Sequence, residues 1–156
     1  MFDRHLARIK DTDKAIDAAF AAHPQAEIIR SLPGMGTLAG AEFTVAVGDL
    51  STFASADHLA AYAGLAPVAR DSGRRSGNLR RPQRYNRRLR HVFFLSALTT
   101  LKIDGPNRDY YQRKRAEGRR HQQAMIALAR RRIDVLWALL RDNRRFQLDP
   151  PVPAPA

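Results

Sequence analysis

Two serines, each followed by glycine, stand in the most basic stretch of the chain: Ser72-Gly73 and Ser76-Gly77 within RDSGRRSGNLRRPQRYNRRLR, residues 70–90. That stretch holds nine arginines and a single acid, Asp71. A serine hydroxyl is a weak nucleophile at neutral pH and needs activation. A ring of guanidinium groups can supply it, stabilising both the alkoxide and the charge that develops on a phosphoryl group. The plainer reading is a turn serine in a solvated basic loop, and chemistry alone does not separate the two. Arg84, Arg87, Arg88 and Arg90 read as the opening of a helix. Arg87 and Arg88 follow Arg84 by three and four residues, which sets them on one side. Cations at a helix start oppose the macrodipole, so helix stability does not account for them. A phosphate backbone between them would.

The second motif is Leu32-Pro33-Gly34-Met35-Gly36, a glycine-containing turn between two short apolar pieces. It reads as a helix-hairpin-helix element. In such an element the backbone N–H groups around Gly34, Met35 and Gly36 approach a DNA phosphate without reading sequence. An ordinary turn between helices is the alternative. No metal site is assigned. The five histidines (5, 23, 58, 91 and 121) lack ligand spacing. Asp3, Asp11, Asp13 and Asp17 share one short helix and read as a solvated face. Tyr110 and Tyr111 suit half-buried packing better than base stacking.

These groups need a scaffold, and the pattern predicts an all-α one. Phe2, Leu6, Ile9, Ile16 and Phe20 form one stripe over residues 2–22, an amphipathic arm ended by His23-Pro24. A short helix precedes the turn. Thr37 is expected to cap a second one, packed through Leu38, Ala41 and Val45. Ser55 is expected to cap a helix through ADHLAAYAGL, with Leu59 and Tyr62 inward. Residues 65–83 read as a loop or short irregular hairpin. Residues 84–103 form a helix apolar around most of its circumference, the central core element. A short basic helix spans 107–117. A long final helix spans 120–142, with Met125, Leu128, Ala129, Ile133, Leu136, Trp137 and Leu140 on one stripe. This divides the chain into an arm (1–23), a helical domain (24–145) and a Pro-rich, disordered or extended tail (146–156).

Charge is divided as sharply. Residues 1–69 carry 5 basic and 8 acidic side chains, and residues 70–156 carry 22 and 7. Such asymmetry points to a polyanionic partner for the second half, with nucleic acid foremost because arginines displace its condensed counterions. With no cysteine, disulfides and Cys-based zinc sites are excluded. No apolar run reaches the roughly 18 residues of a membrane span, and the charged N-terminus is not a signal peptide. A soluble, cytoplasmic protein without a membrane partner is expected.

The stretch YAGLAPVARDSG, with Gly77, Asn86, Leu89 and Arg90, resembles the C-terminal domain of the bridge-RNA-guided insertion-sequence transposases, DEDD-type recombinases related to the Piv invertases. Tyr62, Gly64, Leu65, Pro67, Ser72, Gly73, Gly77, Asn86, Leu89 and Arg90 fall in register, and LPGMG matches the start of that domain. Tyr85 replaces the usual glycine before Asn86, and Gln83 a common lysine. The resemblance, over about residues 25–140, implies that Ser72 attacks a DNA phosphate to form a phosphoserine link. It also implies a structured guide RNA and, in a separate RuvC-like domain expected to be missing from this chain, four metal-binding carboxylates for magnesium. No cofactor is expected in this chain itself.

Two functions follow. One is the catalytic-serine portion of a DNA transposase, in which Arg74, Arg75, Arg80, Arg81, Arg84, Arg87 and Arg90 clamp phosphates, with Gly73 and Asn86 beside them. The other is a truncated, non-catalytic nucleic-acid-binding module. A helical arm and the need to pair DNA ends lead to the expectation of a homo-oligomer.

Overall fold

The structure is a computed structural model and describes residues 1–66, 68–69, 79–80 and 84–148. Among these, seven α-helices are present: α1 (Phe2–Ala21), α2 (Ala26–Ser31), α3 (Thr37–Val47), α4 (Ala56–Tyr62), α5 (Arg87–Thr100), α6 (Pro106–Ala116) and α7 (His121–Arg141). The all-α expectation holds. The only strands among the described residues are two of two residues each, β1 (Val68–Ala69) and β2 (Leu79–Arg80). They pair antiparallel, Val68 opposite Arg80 and Ala69 opposite Leu79.

Helix α7 is the spine, packing against α5, α4, α2 and α6. Its expected stripe is buried, with Trp137 half-buried at the edge. The buried face of α7 also holds a charged residue outside the expected stripe: Arg132 is 2% exposed. Helix α5 crosses it with Leu89, Val92, Phe93, Ser96, Ala97 and Thr100 inward. It is more one-sided than its sequence suggests, since Leu95 and Leu98 stay exposed. It is also shorter. Asn86 is its N-cap, its Oδ1 accepting from the Leu89 N–H at 2.9 Å, so Arg84 precedes the helix.

Helix α3 is turned from its expected face. Gly40, Phe43 and Val47 are buried, whereas Leu38 and Val45 are 60% and 80% exposed. The reason is Gly40: with no Cβ in the way, the Phe20 ring of α1 lies directly on the α3 backbone. Phe43 meets Phe93 of α5 edge-on, with centroids 5.9 Å apart. Thr37 is the first helical residue and Gly36 the N-cap, without a side-chain cap bond, so the expected Thr37 cap is absent. Ser55 caps α4 as expected, accepting from the His58 N–H. Tyr62 sits at the rim, 38% exposed, not inward.

Only the C-terminal part of the arm is anchored, with Ile16 half-buried beside α3. Phe20 is buried, and Phe2, Leu6 and Ile9 are exposed. At the other end, the Phe146 N–H donates to Ser31 Oγ at 2.8 Å, which seats the beginning of the expected tail on α2. Residues 149–156 lie outside the described residues.

Candidate nucleic-acid interface

Ser72, Gly73, Arg74, Arg75 and Arg81 lie outside the described residues, and Arg80 is described only as backbone of β2. What the structure does describe is the frame on which their segment is mounted. The segment leaves from Gly64-Leu65-Ala66, starts and ends on the β1–β2 pair, and returns through Arg84 into α5.

The two ends of that frame are locked together by residues of the motif. Gly64 has φ +70°, and a Cβ on it would lie 2.6 Å from Tyr85 Cγ, so both backbone and space require glycine. Arg90 donates from its guanidinium to the Gly64 carbonyl at 2.8 Å and lies 5.6 Å from the Tyr85 ring centroid. The Asn86 N–H donates to the Tyr62 carbonyl at 2.8 Å, and Asn86 Nδ2 to the Tyr62 hydroxyl at 3.2 Å. Asn86 and Arg90, assigned to DNA contact on the sequence, thus hold the frame closed. Tyr85 is the packing partner that fills the space above Gly64.

Arg84, Arg87 and Arg88 are exposed and have no carboxylate partner among the described residues. They do not share a side, because Arg84 is outside the helix and its neighbours diverge. Arg87 lines a groove with Tyr85, Arg90, His91 and Gln122. Arg88 lines a different one with Ile16, Leu38, Glu42 and Tyr62.

The 32–36 turn is built inward. Gly34 has φ +84°, and a Cβ on it would lie 2.6 Å from the Ser96 carbonyl oxygen of α5. Met35 is 2% exposed. Arg132 donates from Nε to Ser96 Oγ at 2.9 Å and from a terminal nitrogen to the Pro33 carbonyl, tying the turn to α5 and α7. Burial pushes the pKa of the Arg132 guanidinium down to about 10. The glycine at 34 is therefore explained by packing. Gly36 alone of the three motif residues assigned to DNA faces open space on its Cβ side.

A basic cleft beside the frame was missed on the sequence. It has a volume of about 560 Å³, and its walls include Gly64 to Ala66, Arg90, Lys114, Arg119, Ile126, Ala127 and Arg130. Tyr110 is in its wall, and three cations surround that ring: Arg131 at 4.8 Å, Arg113 at 5.2 Å and Lys114 at 5.5 Å from the centroid. The ring is thus covered by cations, not open to bases. Lys114 pairs with Glu117 at 3.0 Å, and its hydrogen bond holds the Glu117 carboxyl below the usual range. Arg130 pairs with Asp57 and Asp134. Arg113, Arg119 and Arg131 have no carboxylate partner among the described residues. The available signal was RKRAEGRR at 113–120, five cations against one acid across the α6–α7 junction. Arg90 lies in the walls of both this cleft and the Arg87 groove, so the two basic surfaces are contiguous.

Among the described residues no three His, Asp or Glu side chains converge as metal ligands would, and no helix is long and apolar enough to cross a membrane.

The profile of the transposase IS116/IS110/IS902 family matches residues 26–112. The insertion element IS116 protein of Streptomyces clavuligerus is 60% identical over 145 residues, covering 93% of this chain and 36% of that one. The insertion element IS900 protein of Mycobacterium paratuberculosis is 60% identical over 136 residues, 86% of this chain and 34% of its own. The pilin gene-inverting protein of Moraxella bovis is 32% identical over 127 residues, 78% of this chain and 38% of its own. The chain spans about a third of the length of these curated relatives.

Proposed function

The chain belongs to the IS116/IS110/IS902 transposase family, and we propose that it is the DNA-handling, serine-bearing portion of an insertion-element transposase. Its work is transposition or site-specific recombination, in keeping with relatives named for insertion elements and for pilin gene inversion. The observation that carries this reading is the clamp of Gly64, Tyr85, Asn86 and Arg90. It joins both ends of the segment bearing Ser72 and borders two contiguous basic surfaces.

In this reading Ser72 Oγ attacks a backbone phosphorus. The P–Oγ bond forms as one P–O bond to a deoxyribose breaks, the hydroxyl proton passes to a base, and the departing sugar oxygen takes up a proton. The phosphodiester energy is kept in the phosphoserine link, so no high-energy cofactor is consumed. Arg74, Arg75, Arg80 and Arg81 neutralise the reacting phosphate. Arg84 and Arg87, exposed at the mouth of the frame, hold flanking phosphates, and Gly36 offers backbone at the 32–36 turn. Gly73 gives the backbone room beside the hydroxyl. The acids of α1 are exposed along one helix and no three of them converge. The magnesium carboxylates that the resemblance implies would come from a separate domain. A structured guide RNA would share the basic surface with DNA, and self-association would use the exposed stripe of α1.

The test is a nicked suicide DNA substrate, with and without the remaining two thirds of a relative supplied in trans. The expected result is a denaturation-resistant protein–DNA adduct that disappears in Ser72→Ala. Binding without an adduct under every condition would leave the non-catalytic module as the function.

A further inference from the structure

We propose that the cleft between α5, α6 and α7 is a phosphodiester-binding site built from residues other than those of the Ser72 segment, seating one nucleotide unit of a DNA strand. The inference rests on the nucleic-acid reading above but not on a catalytic role for Ser72.

The cleft combines two chemistries that a nucleotide also combines. Part of its lining is apolar, from Leu65, Ile126 and Ala127, and matches the non-ionic face of a deoxyribose. Its lining is also cationic, with Arg90, Lys114, Arg119 and Arg130, and Arg113 and Arg131, outside that lining, lie on the Tyr110 ring that forms part of it. Three cations around one phenol ring repel one another. The ring's negative face offsets that only in part, since a cation–π contact at an exposed site is weak. The nearby acids do not complete the neutralisation. Glu117 is a single carboxylate, hydrogen-bonded to Lys114 and attracting Arg113 and Arg119 without pairing with them, and Asp57 and Asp134 pair with Arg130. A phosphate placed among Arg113, Arg119 and Arg131 would balance the excess and displace counterions from the strand. Arg90, bonded to the Gly64 carbonyl, lies in the walls of both this cleft and the Arg87 groove. A strand leaving the frame at Arg87 therefore reaches the cleft over a continuous basic surface.

The experiment titrates the whole chain against a fluorescein-labelled random-sequence DNA duplex over a range of sodium chloride, with the matched single DNA and RNA strands in parallel. The cleft variant is Arg113→Gln with Arg119→Gln and Arg131→Gln. A charge-matched control carries Arg4→Gln, Arg8→Gln and Lys10→Gln on α1. The cleft variant is expected to bind DNA about tenfold more weakly at low salt, with a log–log salt slope shallower by up to about three. The control is expected to change neither quantity comparably. Equal losses in both variants would reduce the effect to bulk charge and overturn the site, as would undiminished DNA binding by the cleft variant or a loss confined to RNA. Should the triple variant fail to melt cooperatively, Arg119→Gln alone is read, with an expected slope change of about one. An Arg74→Gln/Arg75→Gln variant separates the two claims. If it alone loses binding, the proposed function stands and the cleft falls. If neither it nor the cleft variant loses binding, the nucleic-acid reading falls with the cleft.

Discussion

Arg132 shows how far one residue can depart from its sequence context. It lies four residues after Leu128 and four before Leu136, inside the apolar stripe of α7, and is buried with them. Two acceptors from different elements, Ser96 Oγ and the Pro33 carbonyl, hold its fork. Lysine offers its donors from a single nitrogen and has no fork, so Arg132→Lys cannot reproduce both contacts, which come from two different nitrogens. We expect Arg132→Ala to destabilise the fold by about 3 kcal/mol, through a cavity and two orphaned acceptors, and Arg132→Lys by about half that, both read from denaturant melts. Its pH behaviour has a definite sign. Burial lowers the folded value to about 10, below that of the unfolded chain, so the unfolded state binds this proton more tightly. The contribution to stability is flat below about pH 10 and becomes more favourable as the pH rises from there to the unfolded value. The sequence signal for this role was the placement of a charge in a buried stripe. Its partners are 36 and 99 positions away, and no local pattern carries them.

At the scale of elements, the start of α5 is held by one side chain working in two directions. Asn86 caps its own helix and reaches the Tyr62 hydroxyl, which in turn donates to the Ala46 carbonyl. Asn86→Ala should cost about 1–2 kcal/mol, more than the loss of an isolated cap, and Asn86→Asp should recover the cap alone; thermal melts distinguish them. Helix α1 poses the opposite case, a stripe with little to pack on. Phe2, Leu6 and Ile9 continue the spacing that ends at the buried Phe20, yet remain exposed. If this stripe mediates self-association, Leu6→Lys with Ile9→Lys will shift the chain to a smaller species in sedimentation velocity without lowering its melting temperature. The face of α3 was misjudged for a related reason. Hydrophobicity ranks Leu38 and Val45 above glycine, but the neighbouring helix needs the site without a side chain.

For the whole molecule, the division of charge survives folding as geography. The strongly basic second half supplies α5, α6 and α7, and of its cations without an acid partner among the described residues Arg119 lines the cleft, Arg113 and Arg131 lie on its Tyr110, and Arg87 lines the adjoining groove. Affinity for random-sequence DNA should fall steeply with salt. A loss of about 10³-fold between roughly 50 and 200 mM corresponds to six or more phosphate contacts. A shallow dependence would indicate that the two surfaces do not act together on one duplex.

The helical class, the α7 stripe, the Ser55 cap, the charge asymmetry and the family motif are all legible in the bare chain. Each is written in local spacing or composition, where a period of 3.6 residues or a run of cations needs no distant partner. Other features exist only once the helices have met. Packing gave Gly34 to Ser96, Gly64 to Tyr85 and Gly40 to Phe20, turned Asn86 and Arg90 into fasteners of the frame, and parted Arg87 from Arg88. It also brought the α6–α7 cations against the exit of α4. These outcomes depend on which surfaces meet across long separations in the chain, a packing problem whose solution depends on the shapes of both partners at once.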